Sequence, residues 1–283
     1  MEVDNILHMN VGNGESSYAS NSFLQETVIR KALQVLKQSI KAIPGSFYGR
    51  LFQDETLHLV HASYSVHWLS QVPQGIENNK ANIYMAKTSP PNVFEAYGKQ
   101  FHTDFIKFLQ LRSKELVHGG RMVLTFLGRS SVDPTTDDCC RAFDLLARSL
   151  LCMVKEGLVE ESYVNSFNIP IYTPCEDEAL LEKEYAIHNE GSFSLDTFND
   201  FHGNWDPYDT DYTNTVDSDT ESHIHGKNYA KVLRAVMEPL LVSHFKSSIN
   251  IDVLFRIFQE QLAKDLANKK TRRYNIVISL TKR

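Results

Sequence analysis

Positive charge is in short supply in this sequence. Against 35 aspartates and glutamates stand 29 lysines and arginines, a formal net charge of −6. That balance argues against a protein that tracks phosphate backbones, so nucleic acid is not expected as a partner. Long apolar runs are missing too. None approaches the roughly 20 residues a membrane helix needs, and no membrane partner is expected. The opening stretch, MEVDNILHMNVGNGESSYAS, has neither the basic nor the apolar region of a signal peptide. Cysteine is scarce: Cys139, Cys140, Cys152 and Cys175 are all there are, with no metal-type pairing. Free thiols in a reducing, cytoplasmic setting are the expectation. The sequence also lacks a G-x-S-x-G elbow and a Walker loop, so the signatures of serine hydrolases and P-loop enzymes are absent.

Histidines are more plentiful but poorly arranged for a metal. His8, His58, His61, His67, His223 and His225 include one His-x-His pair beside an acidic stretch, and no third ligand falls at a convincing spacing.

What is present reads as an α/β protein, with enough apolar residues for one large domain or a domain with an appended cap. Ser22 to Ile40 places Phe23, Leu24, Val28, Ile29, Leu33, Leu36 and Ile40 at helical spacing. Gly45-Ser46-Phe47-Tyr48-Gly49 is loop chemistry. Leu57–His61 predicts a short buried strand, followed by a turn or helix carrying Tyr64, His67 and Trp68. Pro90-Pro91 predicts the start of a long helix whose Phe94, Tyr97, Phe101, Phe105, Phe108 and Leu109 share a side, ended by Gly119-Gly120. RMVLTFLGR is too apolar to be half exposed and predicts a strand inside a covered, largely parallel sheet. Asp137 to Val159 predicts a second long helix. Strand and helix alternating in this rhythm imply right-handed crossovers.

The second half is less regular. SFNIPIYTP is a connection punctuated by prolines, Glu176 to Glu190 a charged helix, and GSFSLDTFNDFHGNW a strand. Asp206 to Glu221 is acidic and polar and predicts a mobile loop. Helices are expected around Tyr229–Phe245 and Val253–Leu266, and YNIVISLTK predicts an edge or near-edge strand.

The sharpest candidate site is Tyr64, His67 and Trp68. They follow a strand at its carboxyl end, where open α/β sheets place ligand crevices. At i, i+3 and i+4 on a helix they would share a face. Trp and His both carry an N–H on a flat apolar body, which can orient a small anion while excluding water. Core packing of an aromatic face is the competing explanation.

Longer blocks resemble one family. LHMNVGNGESSYASNSFLQ, PGSFYGRLF, SYSVHWLSQVPQGIENNKANIYM, GGRMVLTFLGR, SFNIPIYTP, RAVMEPLLVSHF and NIVISLTKR resemble the plant SABATH methyltransferases, in order and over nearly the whole chain. The resemblance implies methyl transfer from S-adenosyl-L-methionine to the carboxylate of a small aromatic or phytohormone-like acid such as salicylate, benzoate or jasmonate, or to a xanthine nitrogen. It implies a Rossmann-like class I methyltransferase sheet with a mostly helical cap, and it allows a homodimer. The domain scheme would be an active-site helix segment in 1–40, the remaining core in 41–160, a cap in 161–270 with the mobile insert 206–221, and a returning strand in 271–283.

Site residues follow position by position from the same resemblance. Tyr18, Ser22, Ser46 and Phe47 match cofactor contacts. Gln25, Tyr64, His67 and Trp68 match the substrate pocket, with Gln25 and the Trp68 indole N–H holding one carboxylate oxygen. Asn79, Asn165, Phe167 and Asn168 match a magnesium site of some members, although Asn165 stands where that site has an aspartate, and a hard dication prefers carboxylate oxygens. A carboxylate is already ionised at neutral pH, so no general base is expected. The enzyme's part would be in-line positioning in a dry pocket. Tyr64 and His67 narrow that pocket toward a flat aromatic acid.

One block of the resembled family has no counterpart. Between the first helix and PGSFYGRLF, members carry roughly 80 further residues, among them a first strand with a glycine-rich turn, the first βα unit that cradles the nucleoside in Rossmann-like folds. The seam lies at Ile40-Lys41. Weak or absent cofactor binding is the expectation, along with a sheet edge deprived of its neighbour. Two functions compete on this reading: a carboxyl methyltransferase, or an inactive member that pairs with an intact relative.

Overall fold

The computed structural model describes residues 45–179, 192–210, 218–270 and 272–283. The helix expected in Ser22–Ile40 lies outside them, as do Tyr18, Ser22 and Gln25. The elements in chain order are β1 (Leu57–Ser63), α1 (Pro91–Glu115), β2 (Leu116–Gly128), α2 (Asp137–Lys155), α3 (Glu161–Ser166), β3 (Phe193–Asn204), α4 (Asp219–Phe245), α5 (Ile251–Leu266) and β4 (Arg272–Lys282).

The four strands form one sheet in the order β1-β2-β4-β3. Among the described strands only β1 and β2 run parallel, with His61 beside Val123. β4 is antiparallel to both of its neighbours, pairing Ile278 with Leu124 on one side and Phe198 on the other. The expected largely parallel sheet is therefore corrected to a mixed one. YNIVISLTK is near-edge, as expected, and sits between β2 and β3.

β2 carries Met122, Leu124 and Phe126 into the core, and β4 carries Ile276, Ile278 and Leu280. α1 buries Tyr97, Phe101, Phe105, Phe108 and Leu109, the aromatic side that the spacing predicted, with Phe94 only partly covered. Its first residue is Pro91, where a missing N–H costs nothing because the first turn has no acceptor for it. The helix does not run to the glycines. It stops at Glu115, Leu116 turns extended, and Gly119 and Gly120 lie within β2. Gly119 has φ +74°, so it marks an irregularity in the strand instead of a helix cap.

β1 is not the buried strand that its composition suggests. Among the described residues no strand lies on its outer side, and Leu59 is 49% exposed. An apolar strand reads as buried only when both of its neighbours exist. β1 has one.

In the second half, α4 begins at Asp219, ten residues before the expected Tyr229. Ser218 and Glu221 explain the early start: they form a reciprocal capping box that satisfies otherwise orphaned N–H groups of the first turn. The supposed mobile insert is thereby shortened. Residues 206–210 form a turn in which the buried Asp206 carboxylate meets His225 Nδ1 at 2.6 Å and accepts from Asn228 Nδ2 at 2.9 Å, while 211–217 lie outside the described residues. α4 and α5 pack tightly at Gly226, where a Cβ would come within 3.2 Å of the Ala263 Cα. Within 161–270 the strand expected in GSFSLDTFNDFHGNW is β3, and it joins the core sheet beside β4. Residues 176–179 are helical, and the remainder of the expected Glu176–Glu190 helix is outside the described residues.

Candidate functional site

β1 ends in a sharp turn. Tyr64 adopts φ +53°, a left-handed conformation that costs a bulky L residue about 1–3 kcal/mol. Hydrogen bonds hold it there: its N–H donates to the Thr125 carbonyl on β2 at 2.7 Å, and its phenol donates to Asn275 Oδ1 on β4 at 2.9 Å. The Trp68 N–H closes the turn onto the Ser65 carbonyl at 3.0 Å. Trp68 then bridges to Ile171, while Leu69 N–H donates to the Pro170 carbonyl and Tyr172 N–H to the His67 carbonyl, both at 2.8 Å. The Tyr48 phenol donates to the Trp68 carbonyl from another side.

Tyr64, His67 and Trp68 are thus brought together, though on a pinned turn and not on one helical face. Ring centroids are 6.1 Å apart for Tyr64–His67 and 5.9 Å for His67–Trp68. All three are buried. The Leu127 N–H donates to His67 Nδ1 at 3.1 Å, so the imidazole carries its proton on Nε2. Burial lowers the His67 pKa to about 3, which keeps the ring neutral. With one nitrogen accepting from the backbone and the other protonated, His67 is a donor and has no lone pair for base catalysis. Burial likewise raises the Tyr64 pKa, against a smaller lowering by Arg273.

Ser46 and Phe47 sit in a loop fixed by a buried ion pair. Arg112 donates to the carbonyls of Phe47 at 3.2 Å and Gly49 at 2.9 Å. Glu115 Oε1 accepts from the N–H groups of Leu51 at 2.8 Å and Phe52 at 3.2 Å, and Arg112 Nε lies 2.9 Å from Glu115 Oε2. Ser46 Oγ turns inward and accepts from Tyr48 N–H at 3.2 Å. Sequence reasoning missed Arg112 and Glu115. Their i, i+3 spacing is the one available signal, and it is common on solvated helices.

Phe47 lines an apolar cleft of about 490 Å³ together with Leu59, Val60, Ala62 and Phe108, along the outer edge of β1. Ser63 Oγ, buried without a hydrogen-bond partner, belongs to the same wall. This cleft offers an aromatic face and a hydroxyl, but no carboxylate lines it and its one guanidinium is committed to Glu115. Apart from Arg112 its polar lining among the described residues is His61, Ser63 and Ser65, with no carboxylate to accept from both ribose hydroxyls, so the cleft does not fit a complete nucleoside site.

The proposed magnesium ligands do not fit a dication either. Asn79 Nδ2 donates to Asn168 Oδ1 at 2.9 Å, and Asn79 Oδ1 accepts from Ser89 Oγ at 2.7 Å and Asn82 Nδ2 at 3.3 Å. Asn165 Oδ1 is taken by the Ala81 N–H at 2.8 Å, and Phe167 brings a side chain with no donor atom. The cluster is neutral and satisfied within itself, and a hard cation would have to break it. Among the described residues no three His, Cys, Asp or Glu side chains gather as a metal site. Cys140, Cys152 and Cys175 form no disulfide there, and no described helix is long and apolar enough to cross a membrane.

A parallel β1–β2 pair continued by an antiparallel β4, with a tight turn at the carboxyl end of β1, matches part of the sheet of a class I methyltransferase. Comparison gives the finer assignment. The sequence profile of the SAM dependent carboxyl methyltransferase family matches residues 38–283, and the chain belongs to that family. It is 36% identical to the S-adenosyl-L-methionine:benzoic acid/salicylic acid carboxyl methyltransferase 3 of Petunia hybrida, in an alignment covering all of this chain and 99% of that one. It is 44% identical to the probable jasmonic acid carboxyl methyltransferase 1 of Theobroma cacao over 86% of this chain and 65% of the relative. Among solved structures, loganic acid methyltransferase with SAH superposes with a TM-score of 0.71 at 28% identity, covering 86% of this chain and 66% of that one.

Against the latter two proteins the chain spans about two thirds of their length. The Petunia alignment runs over 371 positions for 283 residues, so about 88 positions of the relative have no counterpart here. The family match starts at residue 38, beside the Ile40-Lys41 seam. Among the described residues, a β1 edge without a second neighbour and a cleft without a carboxylate are what the loss of such a block would leave.

Proposed function

We propose that this protein is by descent an S-adenosyl-L-methionine-dependent O-methyltransferase that forms methyl esters of small, flat carboxylic acids, with its acceptor face retained and its cofactor face incomplete. The observation that carries the reading is the Tyr64–Trp68 turn. It is fastened to β2, to β4 and to the Ile169–Tyr172 segment, which supports reading its aromatic groups as an acceptor face held independently of any strand outside β1.

The acceptor chemistry asks little of the protein. The acid arrives ionised and supplies its own nucleophilic oxygen. Trp68 and Gln25 would hold one carboxylate oxygen and leave the other facing the methyl donor. His67, neutral and protonated on Nε2, can donate a hydrogen bond and cannot remove a proton. Salicylate, benzoate and jasmonate are the acids to test, since two of the similar enzymes are named for them, and the bulk of Tyr64 and His67 favours the aromatic pair. Incubation with S-adenosyl-L-methionine and each acid, with methyl ester read by mass spectrometry, tests the activity. Ester from none of them, by a chain in which the missing segment has been restored at Ile40-Lys41, would refute the assignment.

A second reading has its own observation, the exposed β1 edge with Leu59 half in solvent. An unpaired strand edge is a template for another chain. In that reading the protein makes no ester and pairs with a second copy or an intact relative. Co-purification with such a relative in the absence of product separates the two.

A further inference from the structure

Tyr64 is held at both ends, and the partner at its phenol end is itself immobile. Asn275 lies on β4 and is 1% exposed. Its Nδ2 donates to the Phe201 carbonyl on β3 at 3.2 Å and to the Arg273 carbonyl at 3.3 Å. Those two carbonyls fix the amide orientation, because a flipped amide would set its oxygen against both. Oδ1 is left as the acceptor facing the phenol, at 2.9 Å.

We propose that Asn275 is a positioning residue of the acceptor pocket: by accepting the Tyr64 phenol it sets the tilt of that ring and thereby the pocket's choice among aromatic acids. The proposal rests on the acceptor reading given above. With its hydroxyl engaged by Asn275, Tyr64 presents a ligand with an apolar ring face and no donor. The ortho-hydroxyl of salicylate gains nothing from Tyr64 in this state, and shape alone selects. Release of the phenol would let the ring turn and add a donor to the pocket, which changes the salicylate-to-benzoate preference. The left-handed backbone at Tyr64 sharpens the effect, since a residue in that conformation relaxes readily once a restraint is removed.

The experiment is a double-mutant cycle on the full chain. Dissociation constants for salicylate and benzoate are measured by calorimetry for the wild type, Tyr64→Phe, Asn275→Ala and the double variant, with melting temperatures alongside. Asn275→Ala should change the ratio of the two constants by about fivefold, the value of one ordinary hydrogen bond, and should change it no further in the Tyr64→Phe background. A purely structural Asn275 would lower the melting temperature equally in both backgrounds and leave the ratio alone, which overturns the proposal. A 3-fluorotyrosine at position 64 reads the tether without any ligand. A fluorine resonance unchanged by Asn275→Ala overturns the tether itself. Binding of neither acid by the wild type overturns the acceptor reading, and the fluorine signal still decides the tether.

Discussion

Arg112 and Glu115 form an ion pair with almost no solvent contact, and between them they bind four backbone groups of a single loop, the carbonyls of Phe47 and Gly49 and the N–H groups of Leu51 and Phe52. The loop that carries Phe47 has a turn of its own, with Gly49 N–H on the Ser46 carbonyl at 2.8 Å, and two side chains fasten that turn to the end of α1.

Removing either partner leaves the other charge buried and unpaired, which costs about 3–5 kcal/mol. Glu115→Gln and Arg112→Met are each expected to shift the denaturant midpoint strongly downward, and the double variant to lose less than the sum of the two. Additive losses in a urea titration would show that the pair does not act as a unit.

Cofactor binding is expected to be poor. Isothermal titration of the 283-residue chain with S-adenosylhomocysteine should give no micromolar binding, since no carboxylate for the ribose hydroxyls lines the cleft beside β1 among the described residues. Insertion of a family-like segment at Ile40-Lys41 should restore it. Micromolar affinity without the insertion would mean that the cleft is completed by other residues.

His67 makes stability depend on pH in a defined direction. Its folded-state pKa is about 3, below the ordinary 6.5. Above pH 6.5 both folded and unfolded forms are neutral and His67 contributes no slope. Between 6.5 and 3 the unfolded chain takes up a proton that the folded chain refuses, so stability falls by about 1.4 kcal/mol per pH unit from this group. His67→Met should flatten thermal stability across that window. An equal slope in the variant would assign the loss to other groups. The same ring gives ester formation in the restored chain no inflection near pH 6.5.

β1 is expected to make the protein sticky. Light scattering should show concentration-dependent association, and Leu59→Lys should reduce it, because a charge on an exposed edge blocks strand pairing. Association undiminished in Leu59→Lys would move the contact elsewhere.

Much of the architecture was legible because its signals are local. Pro90-Pro91 marked the start of α1, the spacing of its aromatics marked the buried side, and the apolar density of RMVLTFLGR marked a central strand. Gly119-Gly120 misled, because glycine ends helices and kinks strands alike, and only the pairing of β2 shows which applies. Leu57–His61 misled for a different reason. Its composition suggests a neighbour on both sides, and among the described residues β1 has one. The site was half legible. Tyr64, His67 and Trp68 stood out as a constellation, and Phe47 came through resemblance. Asn275 had no signal at all, since an asparagine within a strand looks like a blemish until its position 211 residues from Tyr64 in sequence is folded into contact.

The order of strands also carries a kinetic consequence. β2 and β4 are the inner pair, yet residues 129–271 stand between them. Closing so long a loop precedes the reward of pairing, so the central seam cannot zip up locally and must await the arrival of β4. Until then, among the described strands, β2 has only the short strand β1 beside it, and β3 has no neighbour. A chain on the ribosome holds these apolar strands open through the synthesis of α2 to α5, which makes it a natural client for chaperones throughout that interval.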